Sequence, residues 1–141
     1  MKLTLPKWFD LHTHFRQGEN VPLYVSDHVA MGCAGALAMP NTLPPVAKVS
    51  GENTESAWSI ESYYDLLMQA GAASFEQLIV PLYLTKQTTV ADIENGAKSG
   101  ILRAAKYYPP HGTTNSSPAW GPDRLSNFRK AGDQSGAIVR A

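Results

Sequence analysis

The sequence predicts an α/β protein built on a parallel sheet. Two observations carry that prediction. Short apolar runs alternate with amphipathic stretches, strand then helix four times over, with a stub of a fifth strand. That order implies parallel strands joined by right-handed crossovers. The third apolar run, Leu78 to Leu84, is continuous rather than alternating, as expected of a strand covered on both faces.

The elements follow in order. Trp8 to His14 reads as the first strand. Asn20 is placed to cap a helix over Val21 to Met31, with Pro22 tolerated in its first turn. Gly35 to Met39 is a short buried run ended by Pro40, the second strand. Thr54 is placed to cap the second helix, whose Ile60, Tyr64, Leu67 and Met68 fall at helical spacing, and Gly71 ends it. After the third strand, Thr89 caps a short helix with Val90, Ile93 and Ala97 on one side, and Gly100 closes it. Ile101 to Tyr107 is the fourth strand, Asp123 to Lys130 a fourth helix, and Ala137 to Val139 the stub. Two architectures share this order: an open doubly wound sheet, complete at about this length, and the first half of a (β/α)8 barrel, which typically needs about 250 residues.

Composition narrows the class of function. The chain has 141 residues, 43% hydrophobic and 17% charged, the profile of one folded domain. Twelve basic residues balance twelve acidic ones, which gives no electrostatic reason to expect nucleic acid or an anionic membrane as partner. The one cysteine, Cys33, has no internal disulfide partner and sits in the small-residue run Met31 to Ala36, so it reads as a buried small hydrophobe in a reducing cytoplasm. Charge and proline break the N-terminus before an apolar stretch develops, so neither a signal peptide nor a membrane span is expected. No repeat, low-complexity tract or linker divides residues 1–141.

Chemistry concentrates at strand ends. In Asp10-Leu11-His12-Thr13-His14 the two histidines lie two residues apart, which on a strand projects both imidazoles from one face, half of a zinc site. Arg16 continues the alternation with a guanidinium fork suited to a carboxylate. Asn41 lies in a turn stiffened by Pro40, Pro44 and Pro45. Lys106 alternates with Ala104 and Leu102, so all three are expected on one side. Burial there would lower the lysine's pKa, and the neutral amine can take up carbon dioxide to give a carbamate able to bridge two metal ions. His111-Gly112-Thr113-Thr114-Asn115-Ser116-Ser117 is a polar stretch, either a closing loop or a solvated connection.

The joint pattern is far more specific than its parts. His12-x-His14-x-Arg16, Met39-Pro40-Asn41 with Pro44-Pro45, Ala104-Ala105-Lys106-x-Tyr108-Pro109 and Thr113-Thr114-Asn115-Ser116 occur in order, each at the C-terminal end of a predicted strand. From about Trp8 to Ser117 the chain resembles the dihydroorotase family, in particular its compact bacterial-type branch. The resemblance implies a (β/α)8 barrel with a binuclear zinc site: His12 and His14 on one metal, Lys106 as its carbamate bridging both, Arg16 and Asn41 on the substrate carboxylate, and Thr113 and Thr114 in a loop closing over substrate. Such enzymes interconvert carbamoyl aspartate and dihydroorotate in pyrimidine synthesis, the metals polarising the ring carbonyl and generating a nucleophile near neutral pH.

The sequence also departs from the family pattern. A barrel needs eight strands, and four and a stub are read here. Family members carry two more metal-binding histidines on the fifth and sixth strands and a catalytic aspartate on the eighth. None is present, so the chain holds no catalytic base. His28 falls within the first helix and His111 in the loop, so neither is assigned to the metal. The expectation is therefore the N-terminal half of a barrel, truncated and inactive alone, with exposed sheet edges open to self-association. A hydrolase completed by two copies, and a non-catalytic α/β module that binds a partner, are the alternatives. A related metal-dependent deoxyribonuclease would not explain Met39-Pro40-Asn41 or the lysine strand.

Overall fold

The computed structural model describes residues 4–108, together with the backbone of Val139–Arg140. The expected fourth helix, His111, Thr113 and Thr114 lie outside the described residues.

β1 (Trp8–Thr13), β2 (Cys33–Ala38) and β5 (Gln77–Ile79) form one parallel sheet, and β6 (Leu82–Tyr83), β7 (Ala105–Lys106) and β8 (Val139–Arg140) another. β5 and β6 are two pieces of the run read as the third strand. Pro81 splits it because proline brings no N–H to a ladder. Beyond the break, the N–H groups of Leu82 and Leu84 donate to the carbonyls of Ala104 and Lys106 at 2.9 and 3.0 Å. Among the described strands the path therefore steps outward in chain order, without the reversal that marks a doubly wound sheet. β2 is buried along nearly its whole length, as a central strand should be. Gly35 makes its neighbours' approach possible: a Cβ there would lie 2.6 Å from the carbonyl oxygen of Gln77 and from the Phe9 ring.

α1 (Val21–Ala30), α2 (Ile60–Gln69) and α3 (Val90–Ser99) supply the other side of the core. Phe15, Val25, Tyr63, Leu67, Leu84 and Ile93 are each fully buried there. Cys33 is buried among them as a free thiol whose S–H donates to the Gly35 carbonyl. Both ends of α3 fall where the sequence places them. Thr89 and Asp92 form a reciprocal capping box, and Gly100 closes the helix at φ 77°.

Four local expectations are corrected, and one strand pairing is new. Asn20 precedes α1 but makes no side-chain cap bond, since its backbone is already helical. The cap of α2 is Ser59, which accepts the Ser62 N–H at 3.1 Å, while Thr54 closes a separate turn with Ala57. Residues 46–59 instead include a parallel pair, β3 (Val46–Lys48) with β4 (Trp58–Ser59), that no local pattern announced. On α2 the inward tyrosine is Tyr63, not Tyr64, because the helix docks with Ile60, Tyr63 and Leu67 towards the core. On α3, Val90 is 41% exposed at the first turn, and Gly96 joins Ile93 on the buried face. Among the described residues, no helix is long and apolar enough to cross a membrane.

Candidate metal and substrate site

The strands of each sheet are parallel, and the polar residues of interest sit at or just past their C-terminal ends. β1 delivers His12 and His14, β2 leads into Asn41, and β7 ends on Lys106. The rings of His12 and His14 lie 5.3 Å apart, tilted by 54°. Protonation of His14 is disfavoured, first by desolvation and then by the positive fields of His12, Arg16 and Lys106. The charges of Arg16 and Lys106 thus act on the imidazole pair. A histidine held neutral keeps a nitrogen lone pair available to a metal.

Lys106 does not share a side with Leu102. Leu102 is buried against α3, where a Cβ on Gly96 would meet its own at 2.9 Å. Strict alternation fails because β7 begins only at Ala105. Lys106 instead holds its Nζ 5.3 Å from the centre of the Tyr108 ring, a cation–π separation.

Tyr108 connects the lysine to Asn41. Its hydroxyl donates to Asn41 Oδ1 at 2.8 Å, and its ring meets Tyr83 edge-on at 5.0 Å. Burial raises both phenols to about 12, with mutual repulsion adding at Tyr108, so the Tyr108 proton stays on and serves the amide oxygen. The Asn41 carboxamide is thereby oriented, its NH2 left as the donor group. Sequence reasoning missed this function of Tyr108, although its place two residues past Lys106 was the signal for a shared face.

A second clamp was also missed. Gln17 Nε2 donates to the Pro44 carbonyl at 3.1 Å, and Gln17 Oε1 accepts the Leu43 N–H at 3.4 Å. Thr42 Oγ1 donates to the same Pro44 carbonyl at 2.7 Å. The turn that carries Asn41 is thus tied to the segment that carries Arg16. Asn41 itself is 5% exposed. Below these groups, a groove of about 540 Å³ runs over Phe9, Leu11, Leu37, Met39, Ile79 and Lys106. Among the described residues, no group of three or more histidines, cysteines and carboxylates comes together.

The chain is similar in sequence and in fold to known proteins. The chain is 41% identical over 117 residues to the dihydroorotase of Pseudomonas savastanoi pv. phaseolicola, a match covering 82% of this chain and 31% of that protein. Against the dihydroorotase of Picosynechococcus sp. the identity is 39% over 117 residues, with the same coverage. The crystal structure of Saccharomyces cerevisiae dihydroorotase in complex with 5-fluoroorotic acid superposes with a TM-score of 0.78 and 26% identity, covering 94% of this chain and 35% of that one. Campylobacter jejuni dihydroorotase, at 20% identity and a TM-score of 0.72 over 94% of this chain and 37% of that one, shares the fold. No protein-family model matches the chain.

The fold is α/β, and solved structures that superpose on it are dihydroorotases. In sequence the chain is similar to the dihydroorotases and matches their N-terminal portion. It spans about a third of the length of these relatives, 31% of each.

Proposed function

We propose that this chain carries the first part of a (β/α)8 barrel and, with it, the first half of a dihydroorotase site. The observation that carries the reading is the convergence of His12, His14, Lys106 and Asn41 at the C-terminal ends of parallel strands, where barrel enzymes build their active sites. The unreversed strand order supports a barrel over a doubly wound sheet.

The donor set fits zinc, with two imidazoles side by side and one of them held neutral. His12 and His14 would hold one ion, and Lys106, as its carbamate, would bridge two. Zinc, when bound, supplies carbonyl polarisation and a nucleophile at neutral pH. The remaining roles belong to side chains. Arg16 offers a planar fork of donors to the substrate carboxylate, and Asn41 adds its NH2, aimed by Tyr108. Thr113 and Thr114 would close over the bound substrate. The reaction served is the reversible cyclisation of N-carbamoyl-L-aspartate to dihydroorotate. Proton transfer needs a base, and no carboxylate joins the imidazole pair among the described residues. The base and the remaining ligands must come from another segment or chain.

Exposed apolar side chains favour completion of the sheet by further strands. Leu11 is 71% and Phe9 47% exposed along β1, beside the apolar groove, a surface that soluble proteins normally cover.

Elemental analysis of protein purified without chelators tests the metal reading. Zinc is expected in the wild-type chain and lost in His12→Ala and His14→Ala. A folded wild-type chain without zinc would overturn it. Ring opening of dihydroorotate by the 141-residue chain alone is expected to be negligible, and robust zinc-dependent turnover would show that no further ligands or base are needed.

A further inference from the structure

We infer that Asp10 and His28 are positioning residues for the imidazole pair, acting from behind the sheet; this rests on the zinc reading above. In a regular strand Asp10, His12 and His14 would share one side. β1 is not regular at its end. Its pairing with β2 shifts between Asp10 and Thr13, and both of those side chains turn towards α1. Asp10 Oδ2 and Thr13 Oγ1 each lie 3.2 Å from His28 Nε2. The other carboxylate oxygen, Oδ1, accepts the backbone N–H of His12 at 2.9 Å.

His28 is itself fixed. Its Nδ1 donates to the Tyr24 carbonyl within α1 at 2.8 Å, and its ring stands edge-on to Phe15 at 4.9 Å. A continuous run of contacts thus links the α1 backbone, the His28 ring, the Asp10 carboxylate and the backbone of His12. On the far side, the Thr13 carbonyl accepts the Met39 N–H at 2.7 Å, which anchors the irregular segment to the end of β2. Such irregularities bend a strand and re-aim its side chains. Here the outcome is a pair of histidine rings 5.3 Å apart. Removing the carboxylate frees the His12 backbone to return towards regular pairing, which swings its ring away from His14.

A purely structural Asp10–His28 contact would change stability and leave metal affinity alone, so affinity is the deciding readout. Zinc affinity of the full 141-residue chain is measured by competition with a chromophoric chelator, alongside the visible spectrum of the cobalt-loaded chain. Asp10→Ala and His28→Gln are expected to weaken zinc binding roughly tenfold or more, the usual effect of losing a group that orients a ligand, and to alter the cobalt spectrum. Thr89→Ala, which breaks the distant capping box of α3, is the control. It should lower stability and leave affinity unchanged. Wild-type affinity in the Asp10 and His28 variants would overturn the inference and leave the zinc reading intact. A folded wild-type chain that binds neither metal would overturn both. Should Asp10→Ala not fold, His28→Gln decides between the same outcomes.

Discussion

Replacing Tyr63 with phenylalanine isolates one hydrogen bond that holds the site's backbone. Tyr63 is fully buried in α2, and its hydroxyl donates to the carbonyl of Phe15, the residue between His14 and Arg16. The substitution removes one oxygen and leaves the ring packing in place, so no large cavity opens. What remains is a buried carbonyl without its donor, which costs about 1–3 kcal/mol. With a urea dependence of about 1–3 kcal/mol per molar, the unfolding midpoint should fall by roughly 1 M. Tyr64, the next residue on the helix, is 37% exposed, so Tyr64→Phe should stay within about 0.5 kcal/mol. Urea unfolding followed by circular dichroism makes the comparison. Equal midpoints for Tyr63→Phe and the wild type would refute the claim that this bond fixes the segment carrying His14 and Arg16.

Three further outcomes are expected. Tyr83 and Tyr108 have phenols raised from 10 to about 12 in the folded chain, so the folded state keeps protons that the unfolded state loses. Their contribution to stability is complete below pH 10 and lost as the pH rises from 10 to about 12. Ultraviolet titration should show late-titrating phenols among the six tyrosines, with the urea midpoint dropping over the same range; a single early step in a still-folded chain would contradict this. Gly96→Ala should gain about 1 kcal/mol of helix preference, yet its Cβ would sit 2.9 Å from both Leu102 and Val49, and overpacking costs about 1–3 kcal/mol. The crowding should win, and a variant more stable than the wild type to urea would show that α3 moves away freely. Tyr108→Phe should release the Asn41 amide from its fixed orientation, visible as altered Asn41 side-chain NH2 signals in nuclear magnetic resonance; unchanged signals would mean that other contacts orient the amide.

The elements legible in the sequence are those whose signals are complete within a few residues. Thr89 with Asp92 and Gly100 bound α3 because a capping box and a left-handed terminator need only one turn of chain. The alternation of strands and helices follows from local apolar periodicity, and the His12–His14 pair from the two-residue repeat of an extended chain. The family pattern added the candidate site, since it ties four separated motifs to one chemistry.

What only the tertiary structure decided involves groups far apart in the chain. Ser59 and Thr54 are equally good caps by composition, and the β3–β4 pairing fixed where α2 begins. Tyr63 and Tyr64 are adjacent and alike, and only the docking of α2 onto Phe15 chose the inward one. The hydrogen bond from Tyr108 to Asn41 spans 67 residues, and the contact between Asp10 and His28 spans 18. No local periodicity encodes such contacts, because each forms only when separate strands and helices have closed on a common core and must satisfy the polar groups they bury.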